Sequence, residues 1–455
     1  MKKKLLLLIM AVLTIASVLA GCGTKESAAT ETKDDSQQSK EPVEITFWHA
    51  MGGAGGEAIN KMVENFNSSQ TEVKVTAQFQ GTYDEAINKL KSAAKGGAGP
   101  DVMQVYDIGT RFMIDSGYVV PMQKMIDEDK FDTSSLEPNL LGYYTVDKKL
   151  YSMPFNSSTP LVYYNKTAFK EAGLDPEKAP KTFEELMEYS KKLTKKNGDK
   201  VERYGFSLAT YGWFFEQMLV KQGAYYANNK NGRADKATKV EFDKNGAGLK
   251  VFETWKELYD TGAVVNFGRK TDDTKSAFIA GKIAMTMDST AALKDIMNGV
   301  GGRFEIGTAY LPSFDSAKDG GVSIGGASLW VMDKKDKEKQ KAAFEFVKYM
   351  VSPEQQAFWS KNTGYFAVTK KAYDLPEMKE HLEKFPQFQT AIDQLHDSPK
   401  TATGALLGVF PEARQTIELN LEKMIQGQAE PEQAIKDAAK TINDAITNYN
   451  KVNVK

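Results

Sequence analysis

Apolar residues alternate at Val43, Ile45 and Phe47, then recur at helical spacing at Ile59, Met62, Val63 and Phe66, with glycines 52, 53, 55 and 56 between the two patterns. This predicts a strand, a glycine turn and a helix. Val73, Val75, Ala77 and Phe79 alternate again, Ile87 and Leu90 mark one face of a helix over 83–94, glycines 96, 97 and 99 with Pro100 break it, and 101–106 predicts a third strand. A β-α-β-α-β order requires right-handed crossovers and a mainly parallel sheet. A second run of the same kind begins after Pro154. It has a short apolar strand at 161–164, a helix opened by Thr182 and Glu185 at capping-box spacing, a strand at 204–209, a helix at 247–258 and a strand at 283–287. Asp288, Ser289 and Thr290 are placed to cap a helix from Ala291. Pro353 after Ser352 opens another helix, and the last ~80 residues carry helical periodicity.

The 455 residues are too many for one compact core, and the two runs predict two α/β lobes. The N-terminus has a different character. Lys2, Lys3 and Lys4 precede an apolar stretch over 5–19 that is short for a bilayer span, and Leu19-Ala20-Gly21-Cys22 closes it. That ending resembles a lipobox, so residues 1–21 are expected to be a secretory signal and Cys22 the acylated N-terminus. Residues 22–42, without aromatic or large aliphatic side chains after Cys22, are expected to form a flexible tether holding the body to the outer face of a bacterial cell membrane. No later stretch is long and apolar enough to span a bilayer, so the body beyond the anchor is expected to be soluble.

Composition narrows the function. A formal net charge of −1 implies no nucleic-acid surface and no polybasic membrane patch. A single cysteine excludes a disulfide framework and a thiolate metal site. His49, His381 and His396 stand in unrelated contexts, and the chain has no H-E-x-x-H, G-x-S-x-G or P-loop pattern. The glycine runs lack nucleotide-binding spacing and read as turns. Neither an enzyme, a metal centre nor a cofactor is expected.

What remains is a set of hydroxyl-, amide- and aromatic-rich turns at predicted element ends. They are Gly81-Thr82-Tyr83, 105–110 with Asp107, Phe155-Asn156-Ser157-Ser158-Thr159-Pro160, Met287-Asp288-Ser289-Thr290, Gly325-Gly326-Ala327-Ser328-Leu329-Trp330 and Asn362-Thr363-Gly364-Tyr365. With Ile45-Thr46-Phe47-Trp48-His49 and Phe267-Gly268-Arg269-Lys270, these segments resemble, over essentially the whole mature length, the extracellular solute-binding proteins of ABC importers. The 155–160 and 325–330 segments resemble the glycerol-3-phosphate-binding subfamily in particular. The resemblance implies a two-lobed clamp, a monomer that closes on a small phosphorylated polyol and hands it to permease subunits in the membrane. It places ligand contacts at Tyr83, Asp107, Ser158, Trp213, Ser289, Gly326, Tyr365 and Arg414. Arg414, the hydroxyls and the N–H groups near Gly326 and Ser289 would meet a phosphate, Asp107 the glycerol hydroxyls, and Trp213 would form an aromatic wall. The lobes are expected to comprise 43–153 with about 290–340, and 154–289 with about 341–455. Two departures stand out: Asp107 replaces a glutamate, and Thr210 replaces a tryptophan three residues before Trp213. A sugar-binding receptor of the same fold, or a surface-anchored hydrolase, would be the alternatives.

Overall fold

The computed structural model describes residues 41–95, 98–315 and 319–453. The expected signal peptide, Cys22 and nearly all of the tether lie outside the described residues.

In chain order the strands are β1 (Val43–His49), β2 (Val73–Phe79), β3 (Val102–Tyr106), β4 (Val119–Val120), β5 (Thr145–Val146) and β6 (Lys149–Leu150), followed by β7 (Met153–Ser158), β8 (Pro160–Asn165), β9 (Lys195–Asn197) and β10 (Lys200–Ser207), and then β11 (Ile283–Ser289), β12 (Ile306–Ala309) and β13 (Gly325–Met332). One sheet has the order β2-β1-β3-β13-β4, with β7 also paired to β13; the other has the order β12-β8-β11-β10-β9; β5 and β6 form a small hairpin. The predicted elements stand close to where the periodicity puts them. Helices Gly53–Ser69 and Tyr83–Lys95 connect the first three strands, with Ile59, Met62, Val63 and Phe66 buried on the first helix. Its start falls inside the glycine run rather than after it, and glycine at 56 lets this first turn pack on the preceding segment, since a side chain there would meet the Met51 carbonyl at 2.7 Å. Thr182 caps the helix Phe183–Leu193 by accepting the Glu185 N–H, and the Glu185 carboxylate accepts the Lys181 N–H.

The two-lobed α/β architecture holds, but the sheets are mixed rather than mainly parallel. In the first, β1 runs parallel to β2 and β3, whereas β13 is antiparallel to β3, β4 and β7. In the second, β10 and β11 are parallel while β8 is antiparallel to both β11 and β12. Apart from the local β9–β10 hairpin, the antiparallel pairs come from segments that enter a sheet from the other lobe, which no single β-α-β unit supplies.

Those entries also correct the expected boundaries. The chain leaves the first sheet at Thr159, between β7 and β8, so 153–158 belongs to the first lobe. β12, expected in the first lobe, pairs with β8 in the second. Helices Lys337–Met350 and Pro353–Thr363, expected in the second lobe, pack on the first instead: Phe346 meets Phe47 of β1 and Phe66 with ring centroids 5.4 and 5.3 Å apart. The last two helices, Phe410–Ile425 and Pro431–Val452, do complete the second lobe, where Ile435, Ala438, Ala439 and Ile442 join Phe242, Phe252 and Trp255 in one apolar core.

Candidate ligand-binding site

The crossing points place the site. β3, β7 and β11 end at Tyr106, Ser158 and Ser289, and β13, running the opposite way, begins there with Gly325 and Gly326. Gly325 is opposite Ser158 in register, Ser289 is opposite Pro160, and the Thr290 N–H donates to the Thr159 carbonyl at 2.9 Å. The carboxyl ends of strands from both sheets therefore converge on one crevice, as expected for ligand sites in α/β folds. A cavity of about 250 Å³ opens there, and all eight residues singled out from the sequence line it: Tyr83, Asp107, Ser158, Trp213, Ser289, Gly326, Tyr365 and Arg414.

One end of the cavity is made largely of neutral donors, with Asp288 and Lys275 beside them. Ser289 caps the turn that leads into the helix Leu293–Val300, its Oγ accepting the Ala291 N–H at 3.1 Å. Gly326 has φ +92°, and a side chain there would meet the Asn156 carbonyl at 1.9 Å, so only glycine brings this backbone to the cavity wall. Asn156 fixes the neighbouring phenol: its Nδ2 donates to Tyr83 Oη at 2.9 Å while its Oδ1 accepts from Gln104 at 2.8 Å. Tyr83 stacks on Tyr106, and Tyr365 stacks on the buried Trp359 with ring centroids 5.5 Å apart. Burial pushes the Tyr83 and Tyr365 phenols up, so both remain protonated donors.

The other end is charged and internally paired. Arg414, on the helix Phe410–Ile425, donates Nε and Nη2 to the two carboxylate oxygens of Glu216, each at 2.7 Å, and Nη1 to Tyr211 Oη at 3.1 Å. Its Nη2 also lies 3.7 Å from Asp107 Oδ2. The close approach of the helices Gly212–Lys221 and Phe410–Ile425 depends on Gly212, where a side chain would meet Arg414 Cγ at 2.5 Å. Glu418 reinforces the junction by accepting the Gly212 N–H at 3.0 Å, and Arg269 pairs with Glu418 and Glu422. Burial raises Asp107 to about 7, opposed by the Arg414 charge. The Arg414 fork, which the sequence assigned to a phosphate, is thus already engaged with a carboxylate of its own lobe.

Trp213 forms the wall between the ends. Its ring lies over Gly325, where a side chain would meet Cζ2 at 2.7 Å, and its buried Nε1–H has no protein acceptor. Thr210, the position of the missing tryptophan, is fully buried, donates its N–H to the Gly268 carbonyl at 2.8 Å and is not part of the cavity lining. It offers no place for a second ring facing a ligand.

Residues 61–387 match the family of bacterial extracellular solute-binding proteins. The chain belongs to this family, the solute receptors of ABC importers. The sn-glycerol-3-phosphate-binding periplasmic protein UgpB of Escherichia coli K12 is 35% identical over 416 residues, which cover 90% of this chain and 93% of that protein. Its counterpart in Yersinia pseudotuberculosis is 34% identical over 419 residues, covering 90% and 94%. Among solved structures, UgpB from Mycobacterium tuberculosis in complex with glycerophosphocholine superposes with a TM-score of 0.77 at 23% identity, covering 90% of this chain and 99% of that one. The cyclic α-maltosyl-1,6-maltose binding protein of Arthrobacter globiformis gives 0.72 at 24%, covering 90% and 100%. These two superpositions establish the shared fold.

Sequence reasoning missed several cavity neighbours. Tyr106 and Asp288 sit inside turns it had singled out, next to the residues it chose. Lys275 and Tyr211 also line the cavity, and Glu216 stands behind Arg414. For Glu216 there was a signal: an acid in the apolar helix Gly212–Lys221, all ten residues of which are buried, must have a cationic partner. Among the described residues no helix is long and apolar enough to cross a membrane, and no cluster of His, Cys, Asp and Glu side chains is arranged to hold a metal ion.

Proposed function

We propose that this solute-binding protein captures sn-glycerol 3-phosphate, or a small glycerophosphodiester, between its lobes and presents it to an ABC permease, held at the membrane by an acyl chain on Cys22. The observation that carries the reading is the division of the cavity into a neutral-donor end and a charged, self-paired end. A phosphate suits the first. Ser158, Ser289, the Gly326 backbone, Tyr83 and Tyr365 supply hydroxyls and N–H groups, a cradle of dipoles beside Lys275, a cation already shared with Asp272 and Asp295. A glycerol moiety suits the second. Asp107 accepts from one hydroxyl and Arg414 donates to another, and Trp213 covers the carbon chain. Asp107 is one methylene shorter than the glutamate of relatives, and its partner Arg414 reaches 3.7 Å toward it. Likeness to glycerol-3-phosphate-binding proteins at 35% identity over 90% of the chain supports the same ligand.

No covalent chemistry is involved. The two ends belong to different elements and, in part, to different lobes, so a ligand touching both favours the closed arrangement by its differential affinity. A thermal-shift screen of glycerol 3-phosphate, glycerophosphocholine, glycerol and maltose tests the reading. Ligand at 100 times its dissociation constant stabilises a fold by about 2.7 kcal/mol, a visible shift. The first two compounds are expected to stabilise the protein and maltose is not. Stabilisation by maltose alone would move the protein to the sugar-binding branch of the fold. Anchoring is checked separately: Cys22→Ala is expected to release the protein from the membrane fraction or leave it unprocessed.

A further inference from the structure

Asp288 is unused by the reading above, yet it lines the cavity beside Ser289 and is only 4% exposed. Its Oδ1 accepts the Ser289 N–H at 2.7 Å, leaving Oδ2 for the cavity. The charged and titratable groups around it come from four other elements. Lys275, on the helix Thr271–Ile279, is paired with Asp272 at 2.8 Å and with Asp295, from the helix Leu293–Val300, at 3.4 Å. Tyr163 of β8 donates its hydroxyl to the Ser289 carbonyl, and Tyr365 approaches from the segment after Pro353–Thr363. The cation that acts on Asp288 is therefore shared with two other acids, and the carboxyl faces the end of the cavity assigned to the ligand's anion. Two anions in contact would repel strongly in so enclosed a place.

We propose that Asp288 meets the ligand's phosphate as a neutral carboxylic acid, its Oδ2–H donating to a phosphate oxygen, so that capture of the anion brings one proton into the cavity. The inference rests on the assignment of the phosphate to this end. Asp288 then acts as a specificity-determining residue. An anionic phosphate ester binds only with the proton, whereas a neutral polyol can hydrogen-bond either form and does not require it. Burial, which already holds Asp288 at about 7, makes the acid form accessible near neutral pH. Above that point each bound ligand must take a proton from solvent, and affinity falls about tenfold per pH unit. On release of the ligand the proton returns to solvent.

Glycerophosphocholine isolates the effect, since a phosphodiester does not itself titrate near neutrality. Its affinity is to be measured by calorimetry from about pH 6 to about pH 9, the upper range in two buffers of different ionisation enthalpy to count protons. The expected result is constant affinity on the acid side, an approximately tenfold loss per unit above about pH 7, and uptake approaching one proton per ligand. In Asp288→Asn, a near-isosteric change that keeps the acceptor for the Ser289 N–H and places an N–H donor toward the cavity, the alkaline loss and the proton uptake should both disappear. A flat profile without proton uptake in the unaltered protein overturns the proposal, and so does an Asn variant that keeps the original profile, since Asp107 would then be the titrating group. If the unaltered protein binds neither glycerophosphocholine nor glycerol 3-phosphate at any pH, the assignment of the cavity itself fails, a result distinct from the other two.

Discussion

The two ends of the cavity solve the problem of buried polarity in opposite ways. Around Arg414 every charge has a partner before any ligand arrives: Glu216 takes the guanidinium fork, Tyr211 a third N–H, and Asp107 stands at 3.7 Å. Around Ser158, Ser289 and Gly326 the groups are neutral, and the one acid, Asp288, is balanced only by a lysine that two other carboxylates share. The first end is built to be stable when empty. In the proposed function the second is completed by the ligand's anion. The difference is the reason the proposed function does not give the phosphate to Arg414, since a guanidinium already paired with a buried carboxylate has little net attraction left for a dianion.

The comparison breaks most visibly at Arg414. Arg414→Ala should leave Glu216 and Asp107 buried without a cation and cost about 3–5 kcal/mol of folding stability, even without ligand, as read by urea unfolding. A loss confined to ligand affinity would show that the charged end is not a structural unit. Gly326→Ala probes the other end. A side chain at φ +92° facing the Asn156 carbonyl should introduce about 1–3 kcal/mol of strain and displace the wall, so affinity for glycerol 3-phosphate should fall while the Arg414 cluster is untouched.

Asp288 sharpens the contrast through pH. Its folded-state pKa lies above the unfolded value, so the folded state binds more protons between about pH 4 and about pH 7, and the stability this group contributes is fully present at acid pH and lost as pH rises through about 7. The unliganded protein should therefore melt at a lower temperature at pH 8 than Asp288→Asn does, and the gap should close toward pH 5. Trp213→Phe has the smallest expected effect. It removes a buried Nε1–H that has no protein partner and trims the aromatic wall of the cavity, so stability should be nearly unchanged and ligand affinity should fall by about 1 kcal/mol, measured by calorimetry.

Much of the site was legible because its residues occupy turns whose composition is unusual for turns. Gly325-Gly326 and Phe155 to Pro160 could be picked out from sequence, and the structure brings them into register across β7 and β13. Element positions followed from periodicity, as at β1, β2 and the helix Gly53–Ser69. Sheet direction did not, because β13 and β8 enter their sheets from the opposite lobe and pair antiparallel over separations that no local pattern encodes. The lobe boundaries failed for the same reason: Phe346 reads as an ordinary helical core residue, and only its contact with Phe47 shows which core it fills. Arg414 and Glu216 are 198 residues apart. The sequence marked the arginine, and the acid in the apolar helix Gly212–Lys221 called for a cation, but nothing local joined the two.

The central claim is that the neutral-donor end takes the phosphate and the charged end the glycerol. A crystal structure of the protein with sn-glycerol 3-phosphate tests it most directly. The account predicts phosphate oxygens within hydrogen-bonding distance of Ser158, Ser289 and the Gly326 N–H, with the Arg414–Glu216 pair intact and the glycerol hydroxyls on Asp107 and Arg414. A phosphate seated on Arg414, with Glu216 displaced and the Ser289 hydroxyl free of ligand, would contradict it.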